Sequence, residues 1–237
     1  MKRTILFSAM GLLSGSLLAA DSNPKDDITT AAKKLAEKAN YSWTTTVVVP
    51  EGSRFRPGPT EGKTEKDGYT CLSLSFGENK TQAVLKGDKA AFTDREGEWQ
   101  SAADQDNSQQ GPGRFLGRMV RSFKTPSVQA TDLVSAAKEL KKEADMYAGD
   151  LTEDGAKTLL TFRPRGGGGD GPSVSNAKGS VKFWLKGGAL SKYEFKVQGK
   201  VEFNGNEMDV DRTTTVEIKD VGTTKVDVPA EAKKKLS

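Results

Sequence analysis

The chain has 237 residues, a formal net charge of +4, 35% hydrophobic residues, one cysteine and no histidine. The absence of histidine excludes Ser-His-Asp and Cys-His catalysis and the usual zinc, copper and non-haem iron sites. A single cysteine, Cys71, excludes a disulfide within the chain. With no histidine to activate it, Cys71 reads as a small buried side chain rather than a nucleophile. No metal or other cofactor is expected.

The chain opens on Lys2-Arg3, an apolar run from Ile5 to Leu18, and Ala19-Ala20 before Asp21. A basic start, a short apolar middle and small residues at the cut describe a secretory signal peptide. The run falls short of the ~20 residues that a membrane span needs. No cysteine follows it to carry a lipid anchor. These features predict a signal peptide at 1–20, a soluble periplasmic product, and one domain over 21–237. Without Lys2 and Arg3 the net charge drops from +4 to +2, too weak a field to argue for nucleic acid.

Asp26-Asp27 can cap and charge a helix start. Ile28, Ala31, Ala32, Leu35 and Ala39 then recur at helical spacing, which predicts a helix over 27–39 lying across a sheet. Tyr41–Val49 reads as a first strand, 50–60 as a Pro-broken loop, and 62–66 as a further strand. Tyr69–Phe76, Thr81–Leu85 and Ala90–Thr93 follow as short strands separated by Gly77, Gly87-Asp88 and Gly97, before Trp99. The polar stretch 101–113 contains Asp104 and Asp106 at a spacing suggestive of a calcium loop. Gln109 stands where that loop needs glycine, so a solvated loop is the reading.

At 114–123 the period changes to helical. Phe115, Leu116, Met119, Val120 and Phe123 share one face, and Arg114, Arg118 and Arg121 the other. This helix is open to three uses: packing on the sheet, lidding a cavity, or touching anionic lipid. Pro126 ends it, and Thr131 or Asp132 caps a further helix with Leu133, Val134, Ala137 and Leu140 on its apolar side. Met146–Leu151 and Lys157–Phe162 read as two strands joined by Thr152–Gly155. The glycine run 166–169 leads into a strand rather than a helix, which makes it a hairpin loop and not a phosphate cradle.

From Gly179 to Pro229 the period is two. Val181, Phe183 and Leu185, then Tyr193, Phe195, Val197, Val201 and Phe203, alternate with polar residues. Met208, Val210, Thr214, Val216 and Ile218 continue on one parity, with Arg212 interrupting. Gly187-Gly188 and Asn204-Gly205 supply tight turns. The result is an antiparallel meander with one apolar face, and 230–236 adds a last helical turn.

Several segments carry a resemblance. Gly87-Asp88-Lys89 precedes a strand and then Gly97-Glu98-Trp99. Val181–Leu185, with Trp184, precedes a hairpin at Gly188. Thr215–Asp220, Gly222 and Val226-Asp227-Val228-Pro229 close the chain. In this order they resemble the LolA/LppX/LprG superfamily of exported lipoprotein and lipid carriers, over most of the chain beyond residue 20. The resemblance implies an α+β, mainly β fold: a curved, unclosed antiparallel sheet, or half-barrel, with helices covering its concave face. It also implies an apolar cavity that receives lipid or lipoprotein acyl chains, with no catalytic residue required.

Under that reading Leu72, Leu74, Phe76, Phe183, Leu185, Tyr193, Phe195, Val210, Val216 and Ile218 supply the cavity wall. Phe115, Met119 and Phe123 supply a movable cover, and Arg114, Arg118 and Arg121 a rim for an anionic head group. A filled core is the competing arrangement of the same side chains. Two rival functions stand beside carriage. One is a sensor or regulatory module that uses the sheet to hold a protein partner. The other is an enzyme using Asp209 and Asp211, although these lie on the polar side of a strand. A transient membrane or protein partner is compatible with carriage.

Overall fold

The computed structural model describes residues 23–53, 56–77, 79–106, 112–161, 172–203 and 205–236. The expected signal peptide, most of 101–113 beyond Asp106, and the glycine run at 166–169 lie outside these residues. Among the described residues no helix is long and apolar enough to cross a membrane.

Helix α1 (Pro24–Ala36) opens the described chain. It starts at Asn23, whose side chain accepts from the Lys25 amide, with Pro24 in the first turn where its missing N–H is not needed. Strands β1 (Asn40–Val48), β2 (Thr60–Glu65), β3 (Thr70–Phe76), β4 (Asn79–Lys86), β5 (Lys89–Thr93) and β6 (Trp99–Ser101) follow as a meander. Three helices come next: α2 (Ala102–Asp106), α3 (Pro112–Arg121) and α4 (Pro126–Ala136). After them come β7 (Lys141–Glu143), β8 (Met146–Asp150), α5 (Glu153–Leu160), β9 (Ser173–Lys186), β10 (Ala189–Phe203), β11 (Asn206–Lys219) and α6 (Ala230–Lys235).

All eleven strands belong to one antiparallel sheet in the order β6-β5-β4-β3-β2-β1-β11-β10-β9-β8-β7. It is unclosed, a half-barrel whose edges are β6 and β7. Two meanders meet at the centre, where β1 pairs with β11 from Ser42 opposite Lys219 to Val48 opposite Thr213. The β9–β10 ladder shifts register between Leu190 and Lys192 and between Gln198 and Lys200. Such irregularities bend and twist a sheet locally. Gly187 and Gly188 both take positive φ, as the tight β9–β10 turn requires.

Alternation divides the sheet into two apolar faces. Leu72, Ala83 and Phe92 join a large inner cluster with α1, α4 and α5, while Val84, Ala91, Cys71 and Trp99 join a small outer one with Ala232 and Leu236 around α6. The inner cluster is the main core.

The structure corrects several expected elements. Residues 153–160 form helix α5 where a turn at 152–155 and a strand at 157–162 were expected: Thr152 accepts from the Gly155 amide, and Glu153 and Asp154 charge the first turn. Ala156 and Leu160 then turn inward at helical spacing. Helix α4 begins at Pro126, not at Thr131 or Asp132: Pro126 is an initiator, Thr125 is the cap position, and Thr131 donates from mid-helix to the Ser127 carbonyl. Residues 102–106, expected in a loop, form α2.

Candidate functional site

The inner face of the half-barrel and the helices above it are the candidate site. Of the residues expected to form a wall, Leu72, Leu74, Phe183, Tyr193, Phe195 and Val216 are buried in one cluster. Leu185, Val210 and Ile218 are partly buried and pack against it, as do Met119 and Phe123 of the expected cover. Thirteen residues scattered from position 72 to 218 were expected together; the structure brings eleven of them to one apolar layer. The side chain of Phe76 lies outside the described residues. Phe115 is 61% exposed and turned away from the layer.

Individual helices, rather than a second sheet, roof the wall. Helix α1 presents Ile28, Ala31, Ala32 and Leu35; its small residues let it lie close to α4 and β10. Helix α3 lies over β4 and β5, where Gly117 sits within van der Waals reach of Phe92 and the Ala102 backbone. At its end Phe123 stacks on Trp43, with ring centroids 5.9 Å apart and 16° between planes. Trp43 in turn covers Gly62, where an added Cβ would fall 2.0 Å from the indole. A side chain at position 62 would therefore displace the ring on which the end of the helical cover rests.

Among the described residues, specific polar contacts join the helices to one another and to the wall. The Tyr193 hydroxyl donates to Gln129 Oε1 at 2.6 Å, and the Tyr41 hydroxyl lies 3.3 Å from Ser127 Oγ, both on α4. Tyr147 of β8 donates to Asp27 Oδ2 of α1 at 2.9 Å. Lys25 donates to the Ala137 carbonyl at 2.6 Å. Arg212, which the strand parity placed on the apolar side, does point inward and donates to the Leu159 carbonyl near the end of α5. Burial holds its guanidinium below the usual arginine range.

The three expected rim arginines are not equivalent. Arg121 is exposed and Arg118 half-buried. The Nε of Arg114 is buried without a hydrogen-bond partner among the described residues. Asp211 meets Gln198 Nε2 at 2.7 Å and Lys196 at 3.4 Å on the outer side of its strand, while Asp209 is exposed. The pair does not face a cleft.

Two recesses open elsewhere. One, of about 390 Å³, lies on the outer face under the C-terminal segment, lined by Lys63, Cys71, Ser73, Gln82, Trp99 and Asp227 among others. The other, of about 620 Å³, runs along the β7–β8 edge among Lys138, Glu139, Lys141, Glu143, Asp150 and Lys182. Of the expected wall residues only Leu72 borders either one. The inner wall is instead covered by the protein's own helices. Sequence reasoning missed Gln129, Ser127 and Gly62 as parts of this assembly. Only Gly62, a glycine opening a Thr- and Lys-bearing strand, carried a signal, since glycine in a strand marks a close approach.

No family model and no curated protein matches the chain. Among solved structures it is similar to the Mycobacterium tuberculosis lipoprotein LppX, at 10% identity and a TM-score of 0.46, over 87% of this chain and 98% of that one. It is similar to LprF from Mycobacterium bovis at 10% identity and a TM-score of 0.46, over 88% and 97% of the two chains. A domain assigned to outer membrane lipoprotein sorting, from Vibrio parahaemolyticus, aligns at 10% identity and a TM-score of 0.32, over 84% and 92%. At such identities and scores, function has to be read from the residues themselves.

Proposed function

We propose that this protein binds or carries lipid or lipoprotein acyl chains between the inner face of the half-barrel and its helical cover. The observation that carries the reading is the construction of the core. One continuous apolar wall, from Leu72 and Leu74 through Val216 to Phe183, is roofed by separate helices that meet it through the tyrosine hydroxyl contacts Tyr193–Gln129, Tyr41–Ser127 and Tyr147–Asp27. Each methylene moved from water onto such a wall is worth about 0.8 kcal/mol, so a long acyl chain repays separation of the cover. Displacing α3 uncovers Trp43 and the β4–β5 part of the wall; Met119, flexible and polarisable, suits a surface that must repack around a ligand. Binding of this kind asks for no catalytic group. Export to the periplasm with removal of residues 1–20 belongs to the same reading, and N-terminal sequencing of the secreted protein checks it.

The test is native mass spectrometry of the protein purified without detergent, followed by solvent extraction. A co-purifying lipid in fixed stoichiometry, lost in a Met119→Ser/Phe123→Ser variant that stays folded, is the expected result. A clean protein mass with no uptake of added acyl lipid sinks carriage and leaves a filled core, with a protein-binding module as the successor.

A further inference from the structure

Helix α3 carries a chemistry that acyl-chain burial does not use. Its buried side is made by Gly117 and Val120, with Leu116 and Met119 packed on the core. On the other side stand Phe115, 61% exposed, half-buried Arg118 and exposed Arg121. Residues three apart share a helix face, so Phe115, Arg118 and Arg121 form one outward row. Lys124 follows, exposed, and Val128 at the start of α4 is 48% exposed. From 112 to 131 the chain contains no carboxylate, while α2, packed against α3, carries Asp104 and Asp106. The first carboxylate after that stretch, Asp132, takes Lys124 in an ion pair at 2.5 Å.

A phenyl ring held out beside a row of guanidinium groups, in a stretch without acidic residues, is the arrangement of an amphipathic helix lying on anionic lipid. The ring enters the head-group boundary and the cations meet phosphates. We propose that this face of α3 docks on an anionic lipid surface, with Phe115 inserted and Arg118 and Arg121 against the phosphates. Charge decides the occupant: a neutral bilayer offers the arginines no net partner charge, and an uncharged protein groove would leave them desolvated. The purpose of docking rests on the carriage reading, since it would bring the cover of the cavity to the membrane. The chemistry stands on α3 alone.

Vesicle flotation of the purified protein tests it, using phosphatidylcholine vesicles with and without phosphatidylglycerol. Binding is expected only to the anionic vesicles, and it should weaken as salt is raised. Arg118→Gln/Arg121→Gln should weaken it about tenfold or more, and Phe115→Ser about fivefold to tenfold, with melting temperatures within a few degrees of the parent. Equal binding to both vesicle types, or full binding by both folded variants, overturns the proposal. So does absence of binding at low ionic strength, which would leave an acidic protein face as the occupant. Extracted lipid is read separately. Vesicle binding without any bound lipid would sink carriage alone, and bound lipid without vesicle binding would sink docking alone.

Discussion

The hydroxyl of Tyr193, on a side chain wholly withdrawn from solvent, donates to Gln129 Oε1 at 2.6 Å and so ties the middle of the sheet to α4. Replacing Tyr193 with Phe keeps the ring and leaves the Gln129 carbonyl without its donor. A loss of about 1–3 kcal/mol is expected, the range for stranding a buried polar group. Urea unfolding reads it. Combining Tyr193→Phe with Gln129→Leu should recover part of the loss, because both partners are then gone. Additive losses in the double variant would show that the contact is not a coupled pair.

The same burial sets an alkaline limit. Burial, with a smaller contribution from the nearby Tyr41, raises the Tyr193 hydroxyl well above the ordinary tyrosine value, and burial raises Tyr41 against its hydrogen bonds to Ser127 and Thr125. Both groups hold their protons more tightly folded than unfolded. Stability from this source is therefore complete below the ordinary tyrosine pKa of about 10 and is lost as pH rises beyond it. Melting temperatures should stay level from neutral pH to that point and then fall, less steeply in Tyr193→Phe than in the parent. Identical slopes in the two proteins would remove Tyr193 from the account.

Gly62 supports Trp43 by having no side chain. Gly62→Ala drives a methyl into the indole, and the ring must shift off Phe123. A loss of about 1–3 kcal/mol is expected. Trp43 is 2% exposed in the native protein, so the same variant should move tryptophan emission to longer wavelength. An unshifted spectrum with unchanged stability would mean that the strand yields instead of the ring.

Thr152→Ala removes the side-chain oxygen that accepts from the Gly155 amide at the start of α5. A loss of about 1 kcal/mol is expected, with Thr152→Ser restoring most of it. Hydrogen exchange should quicken at the first amides of α5 before it does so in the sheet. Uniform quickening would deny α5 any local opening of its own.

Much of the sheet was legible because its chemistry is local. The glycine turns at Gly187-Gly188 and the alternation of Val181, Phe183, Tyr193 and Phe195 depend on residues a few positions apart, and they appear as read. Even Arg212 obeyed its parity: it points inward because the strand does, and it finds a helix-end carbonyl there. Helix α5 was illegible for the opposite reason. Thr152-Glu153-Asp154-Gly155 is as good a turn as a cap, and the choice is made by Leu160 reaching Gly199 of β10, where an added Cβ would meet the leucine at 2.7 Å. The expected wall residues gathered because they share a face. The polar pins from α4 did not announce themselves, since Gln129 becomes a partner only once Tyr193, sixty-four positions away, is in place.

The central seam of the sheet joins strands from opposite ends of the described chain. Within the two meanders, β2 to β6 on one side and β9 to β11 on the other, sequence neighbours can zip as hairpins. The pairing of β1 with β11 has to wait until the rest of the chain has brought its ends together, so it carries most of the loop-closure entropy. The molecule is thus two fans stitched along one line, and that stitch closes the longest loop in the sheet. Once it is made, Trp43 on β1 and Val216 on β11 belong to the same wall, and neither half alone could offer it.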